Sequence, residues 1–388
     1  MARARKGVAV AGGYVAAIEA ELAAMRADHQ RLVRDGPPWS LAALFSTPES
    51  GIIEYCKDFR PNRFGVEACA AVEAFCRRHG IWLEAGGAHY NSMTPFLHPR
   101  AVTAERMTLI GNYNAILFWL NDTAGREKFA HLTTTEQSDA HSTVESLCRL
   151  LSTGRTVADP TPVEAATAEF LAELTANGEP AWTAWVLEST IDHLRTAIRD
   201  QNARARGDLL SVEEYIDLRA RVSGMYPAIA LCEYGRDTYL PWDRIRAAGL
   251  ETDLRRLQRL TADIGALMND MFSFEKECIV DGADFNLIPI WLLNNSGAKL
   301  ADAVHAAADI VRDRFTSFRR IWQPLYNSCA ESGDPATTDP IADHLLDLRC
   351  CVQATWVWQV ETSRYKGSSI FAENRQPDNH RDHTGNTR

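Results

Sequence analysis

Long hydrophobic runs are missing from this 388-residue chain, and so is any excess of positive charge. No apolar stretch approaches the roughly 18 residues that cross a bilayer, which excludes a membrane span. Lysine and arginine number 41 against 51 aspartate and glutamate, a net charge of −10, so a nucleic-acid partner or an anionic-membrane surface is not expected. There is no Gly-x-Gly-x-x-Gly or Gly-Lys-Ser/Thr loop to seat a nucleotide. Alternating strand-like stretches are nearly absent, which excludes a doubly wound sheet. The eleven histidines fall into no His-x-x-x-His spacing, and the Glu-x-x-His pairs of a carboxylate-bridged metal bundle are lacking. Nine cysteines contain no Cys-x-x-Cys, and even the adjacent Cys350-Cys351 lies in an apolar helical stretch. They read as small buried hydrophobes of a reducing compartment, not as a disulfide framework or zinc site.

What the chain does have is helical periodicity, with 46% apolar and 24% charged residues to build a sizeable core. Apolar spacing predicts helices over 66–78, 103–122, 142–152, 162–176, 181–200, 212–223, 242–248, 251–277, 300–326 and 341–365. Val66, Val72 and Phe75 are assigned to the inward face of the first. Asp159-Pro160-Thr161-Pro162 opens one helix and Asn177-Gly178 closes it. A loop is expected at 333–340, where two prolines stand. No tandem repeat is visible, which disfavours a solenoid. The basic start, Met1 to Lys6, imitates a signal peptide, but Gly12-Gly13 and Glu19-Ala20-Glu21 interrupt it. The reading is an all-α, cytoplasmic protein. It has an arm over 1–36, partly helical or disordered, one domain over 37–366, and a polar, disordered tail over 367–388.

The sharpest chemical feature is Asn269-Asp-Met-Phe-Ser273-Phe-Glu-Lys-Glu277. On a helix Asn269, Ser273 and Glu277, at i, i+4 and i+8, form one stripe. They offer an amide oxygen, a hydroxyl and a carboxylate, hard donors suited to Mg²⁺, which fills its remaining positions with water and phosphate oxygens. Lys276 stands beside the last ligand, placed to meet an anion. Leu257, Leu260, Ile264, Leu267-Met268 and Phe272 mark the same helix as mostly buried, so its polar stripe must face partners or a cavity.

This segment resembles the metal-binding signature Asn-Asp-x-x-Ser-x-x-x-Glu of class I terpene synthases. Further elements follow the family's order. Arg364-Tyr365, with Trp358 six residues ahead, resembles its Arg-Tyr pair, and Arg is a rigid fork for diphosphate oxygens. Glu214 to Gly224 resembles the segment carrying a diphosphate-sensing arginine. There Arg219 would be the sensor, Val222 the linker and Ser223 the effector at a helix break made by Gly224 and Pro227. Arg221 competes for the sensor position.

The acidic motif departs from the family's Asp-Asp-x-x-Asp. The chain reads Asn121-Asp122-Thr-Ala-Gly125-Arg-Glu127. Asp122 is the expected metal ligand. Glu127 lies at i+5, about 140° round a regular helix, and joins it only where Gly125 loosens the backbone. Phe118 and Trp119, one turn before Asp122, and Trp358 are expected to line the cavity. Trp182, Trp185, Trp291 and Trp322 are assigned to the core.

The resemblance implies a single bundle of helices around an apolar cavity. It also implies three Mg²⁺ ions and a cyclase that ionises an isoprenyl diphosphate and cyclises the resulting carbocation. The altered acidic motif and the extended chain lean towards a C20 substrate, with a C15 cyclase as the alternative. A trans-prenyltransferase would carry two Asp-Asp-x-x-Asp motifs, which are missing. A catalytically inactive relative would explain the altered acidic motif but not the other retained motifs. A homodimer is left open.

Overall fold

Helix start chemistry sets many of the element boundaries. Thr133, Thr161 and Ser211 each close a capping box with the glutamate three residues on, Glu136, Glu164 and Glu214. Each box satisfies two otherwise orphaned backbone donors. The computed structural model describes residues 2–47, 51–331 and 334–375; the side chains of residues 2–14, 126, 127 and 330 lie outside that description. Its longer helices are α1 (Ala2–Asp35), α2 (Gly65–His79), α3 (Gly87–Leu97), α4 (Ala104–Ala124), α5 (Thr134–Thr153), α6 (Pro162–Asn177) and α7 (Pro180–Ala197). There follow α8 (Val212–Val222), α9 (Met225–Arg236), α10 (Glu251–Phe274), α11 (Leu287–Asn294), α12 (Leu300–Glu331) and α13 (Pro335–Glu361). The protein is all-α; among the described residues extended pairing is limited to two isolated bridges. No helix among them is long and apolar enough to cross a membrane.

α10 is the axis of the bundle. Leu254, Leu257, Ile264, Leu267, Met268, Met271 and Phe272 are at most 1% exposed, each side chain contributing about 1.5–3 kcal/mol by burial. It packs against α8, α9, α12 and α13. α2, α3 and α4 form the opposite wall, closed by α3 against α13. Glycines permit two of these approaches: a Cβ on Gly265 would sit 2.7 Å from the Met225 side chain of α9, and one on Gly111 of α4 would sit 2.4 Å from Val72 of α2.

Several expectations need correction. The two-proline loop at 333–340 is largely helix: Asp334 caps α13, Pro335 takes its first position, where no amide donor is needed, and Pro340 lies within. The same helix stops at Glu361, and Ser363–Tyr365 form a separate 3₁₀ turn capped by Thr362. α3, α9 and α11 carry no expected counterpart. Glycines and a proline blur α3, and α11 is apolar nearly all round, so neither shows a one-sided period. Val66 and Trp185, both assigned inward, are 90% and 38% exposed; the buried face of α2 runs instead through Ala68, Val72, Phe75 and Cys76. Residues 367–375 are not a loose tail. Ile370, Phe371 and Asn374 are buried, and Trp39 exchanges backbone bonds with Ile370 and Ala372. The remainder of that expected tail, 376–388, lies outside the described residues. All nine cysteines are free thiols.

Candidate active site

α4, α7, the α8–α9 junction, α10 and α13 surround one cavity, its wall mainly apolar with polar side chains among the lining. The α8–α9 junction is the helix break expected at Gly224. That residue takes φ +76°, the left-handed region that glycine enters without penalty, and the chain restarts as α9 at Met225. Ser223 ends α8 and donates its hydroxyl to the Ala220 carbonyl at 2.8 Å. Ser223 and Gly224 both line the cavity. Arg219 and Arg221 part company one turn earlier. Arg219 is 3% exposed and lines the cavity, whereas Arg221 pairs with Asp192 on the surface at 2.8 Å.

Arg219 is held from α10. Its Nε donates to Asp270 Oδ1 at 2.7 Å and its Nη2 to Asn269 Oδ1 at 2.9 Å. Asp270, fully buried, also accepts from the Tyr215 hydroxyl at 2.5 Å and the Leu287 amide at 3.1 Å. The Asn269 amide nitrogen donates to Gln359 at 3.2 Å and to the Tyr365 hydroxyl oxygen at 2.9 Å. One asparagine thereby joins the sensor segment to the C-terminal Arg-Tyr pair.

Beyond Phe274 the helix widens into a π-helical turn, Glu275–Val280, where the sequence suggested a regular stripe. Asn269 and Glu277 face the cavity, and Ser273 between them is sealed from solvent. The Ser273 hydroxyl has no hydrogen-bond partner among the described residues, a costly arrangement for a buried polar atom. An oxygen-seeking cation would satisfy it. Among the described residues no three His, Cys, Asp or Glu side chains gather into a metal cluster. The donors are amide, hydroxyl and carboxylate, a hard oxygen set that fits Mg²⁺. Lys276 pairs with Asp281 at 3.4 Å and is not among the cavity-lining residues.

Asp122 follows the cavity-lining Asn121 on α4; it is not itself among the lining residues but stands beside Arg364, which is. Asp122 accepts from the Tyr90 hydroxyl, and the same hydroxyl oxygen accepts from Arg364. Arg364 Nη2 also stands 3.9 Å from Asp122, and its guanidinium lies 4.5 Å over the Tyr90 ring. Burial pushes the Tyr90 phenol up to about 12, so it stays protonated and donates. No sequence signal singled out Tyr90; its α3 helix was itself unexpected. Gly125 does interrupt the helix: α4 ends at Ala124 and a short helix starts anew at Arg126. The Glu127 side chain lies outside the described residues.

Of the aromatic residues, Phe118 lines the cavity and stacks on Tyr90 at 4.4 Å. Trp358 lines it too, its indole donating to Ser92 at 3.0 Å. Trp119 does not: one residue turns a helix by about 100°, and Trp119 packs into the surrounding core instead. Sequence reasoning missed Asn114, His193, Thr355 and Gln359, which all line the cavity, because they belong to no spaced motif.

Residues 112–317 match the family described as terpene synthase family 2, C-terminal metal binding. The chain belongs to this family. It is 26% identical over 203 residues to a sesquiterpene synthase of Cyclocybe aegerita, covering 52% of this chain and 56% of that protein. It is 26% identical over 272 residues to the (2Z,6E)-hedycaryol synthase of Kitasatospora setae, covering 70% and 77%. The chain spans about half the length of the curated relatives it matches. The structure of germacradien-4-ol synthase from Streptomyces citricolor superposes with a TM-score of 0.65 at 19% identity, covering 78% of this chain and 96% of that one. At that identity the superposition speaks for the shared all-α fold.

Proposed function

We propose that this family member is a Mg²⁺-dependent terpene cyclase acting on a C15 isoprenyl diphosphate. The observation that carries the reading is that Arg219, Asn269, Glu277, Arg364 and Tyr365 line one cavity together, with Asn269 bonded to both Arg219 and Tyr365, beside a mainly apolar wall. Diphosphate would be gripped by Arg219 and Arg364 and by the Tyr365 hydroxyl, while the hydrocarbon tail lies along the apolar part of the wall. Asn269, Ser273 and Glu277 on one side, and Asp122 on the other, would hold the metal. When bound, Mg²⁺ supplies Lewis-acid stabilisation of the departing diphosphate. Phe118 and Trp358 would offer aromatic surface to the developing cation, and the apolar part of the wall would exclude water from it.

The C20 leaning gives way to C15 because the relatives include enzymes named sesquiterpene synthases, and sesquiterpenes are C15 compounds. Nine free thiols support a reducing, cytoplasmic setting. The test is incubation with Mg²⁺ and C10, C15, C20 and bicyclic C20 diphosphates, following diphosphate release and products by gas chromatography. A cyclic product from the C15 substrate is expected. Turnover of a C20 substrate alone would return the assignment to the longer chain, and no diphosphate release from any substrate would remove the cyclase reading.

A further inference from the structure

Among the described residues His193 is the one imidazole on the cavity wall, carried by α7 beside the α8–α9 break. Its Nδ1 lies 3.1 Å from the Arg221 carbonyl oxygen. A carbonyl can only accept, so the proton is on Nδ1 and the lone pair is on Nε2. No hydrogen bond reaches Nε2 among the described residues, nor is that atom sealed; the residue is 8% exposed and lines the cavity. Its Cε1 is 3.9 Å from the place a Cβ would occupy on Gly224. The ring therefore rests against the break. Burial pushes the imidazolium form down, with the Arg221 carbonyl and Asp192 acting weakly the other way, which keeps a neutral base available.

Competitors on the wall are poor bases or misplaced. Ser223 and Thr355 both donate their hydroxyls to backbone carbonyls, at 2.8 and 2.9 Å. Glu277 belongs to the proposed metal-binding end. The rest of the lining is apolar, amide or cationic apart from the Tyr365 phenol, itself bonded to Asn269.

We propose that His193 is the catalytic base that accepts the last proton of the carbocation cascade at Nε2. In an olefin-forming ending, a C–H bond beside the final cationic carbon breaks, its electron pair becomes the C=C π bond, and the proton forms the Nε2–H bond. In an alcohol-forming ending, water oxygen bonds to the cationic carbon and gives its proton to the same nitrogen. The imidazolium returns the proton to water as the product leaves.

The inference rests on the cyclase reading, and the experiment separates them. His193→Gln and His193→Phe are assayed beside the wild type with Mg²⁺ and the C15 diphosphate, reading both released diphosphate and the product mixture. Gln keeps an N–H for the Arg221 carbonyl but has no basic nitrogen; Phe keeps ring volume alone. In both variants diphosphate is still released, while the main product's share drops at least about two-fold in favour of earlier-terminated olefins or alcohols. A wild-type product mixture from His193→Gln would assign His193 to holding the carbonyl and overturn the proposal. So would loss of diphosphate release in both variants, which would make the residue part of the scaffold. Absence of diphosphate release by the wild type would remove the cyclase reading and this inference with it.

Discussion

Arg219 donates through Nη2 to the Asn269 side-chain oxygen at 2.9 Å, while its Nε holds Asp270 at 2.7 Å. Two adjacent residues of α10 thus fix one guanidinium, and only a planar fork serves both. Arg219→Lys keeps the charge but not the fork, so kcat should fall at least ten-fold, about 1.4 kcal/mol. Arg221→Lys should stay near wild type, since Arg221 is half exposed and pairs with Asp192 on the surface. Steady-state kinetics of the two variants decides the matter; sensitivity at Arg221 instead would move the sensor by two residues.

Ser273 separates a ligand from a structural hydroxyl. It is buried with no hydrogen-bond partner among the described residues, so Ser273→Ala removes no protein–protein bond there and Tm should change by less than about 2 °C. The Mg²⁺ concentration for half-maximal activity should nevertheless rise by roughly ten-fold. Glu277→Gln should abolish Mg²⁺-dependent diphosphate release with helicity intact, as should a chelator on the wild type. Near-normal turnover by Glu277→Gln would take the metal stripe out of the mechanism.

The break at Gly125 makes its own forecast. A Cβ there would lie 2.4 Å from the Asn121 carbonyl oxygen and 2.6 Å from its Cα, so Gly125→Ala cannot keep the turn that separates Ala124 from Arg126. Helix propensity alone would favour alanine by roughly 1 kcal/mol. An activity loss of at least about ten-fold from Gly125→Ala, beside near-inactive Asp122→Ala, is expected if the turn presents the acidic motif. Glu127→Ala should then be equally damaged, and full activity in that variant would leave Asp122 as the sole anionic ligand on this wall.

Much of this site is legible in the sequence because its parts obey local rules. Asn269, Ser273 and Glu277 follow helical spacing, and Gly224 is readable as a break. Thr161-Pro162 opens its helix where expected, whereas the helix expected from 142 already starts at Thr134, behind a Thr133 capping box. What was hidden depends on non-local contact. Tyr90 meets Asp122 and Arg364 only because α3 packs between α4 and α13, and a helix containing Gly87 and Pro95 gives little periodic signal. The π-helical turn at Glu275 leaves no mark in spacing, since its apolar neighbours fit a regular helix equally well. Residues 367–375 read as polar, yet Ile370 and Phe371 are buried and the polar side chains around them find non-local partners.

Glu233 offers a pH test of stability away from the cavity. Burial raises its carboxyl from 4.5 to about 7, partly offset by the Leu240 amide, which donates to it at 2.8 Å, and by Arg236. The folded state therefore prefers the protonated form. This group's stabilising contribution is complete below pH 4.5, declines as pH rises, and is lost above about 7. Glu233→Gln fixes the neutral state and keeps the acceptor oxygen. Its Tm should match wild type near pH 5 and exceed it at pH 8, by an amount equivalent to at most about 3 kcal/mol. Equal Tm differences at both pH values would mean that Glu233 is charged in the fold.

Glu275 ties the C-terminal segment to the metal-stripe helix. Its Oε1 accepts from the Ser369 hydroxyl at 2.7 Å and the Ile370 amide at 3.0 Å, at the first residue of the π-helical turn that carries Glu277. Farther along the same segment, Glu373 accepts from the Leu41 and Ala42 amides at 2.9 and 3.0 Å, and the Asn374 amide donates to the Phe272 carbonyl at 2.8 Å. Arg364 and Tyr365 hang between α13 and this anchored stretch. Glu275→Ala would leave the Ile370 amide unpaired where it is buried, costing about 1–3 kcal/mol of stability. It should also loosen the Arg-Tyr turn, raising KM for the diphosphate substrate more than it lowers kcat. Ser369→Ala deletes one of the two donors and should show the same pattern at smaller amplitude. A Glu275→Ala variant that loses stability but keeps its KM would show that the anchor serves folding alone and that α13 by itself positions Arg364.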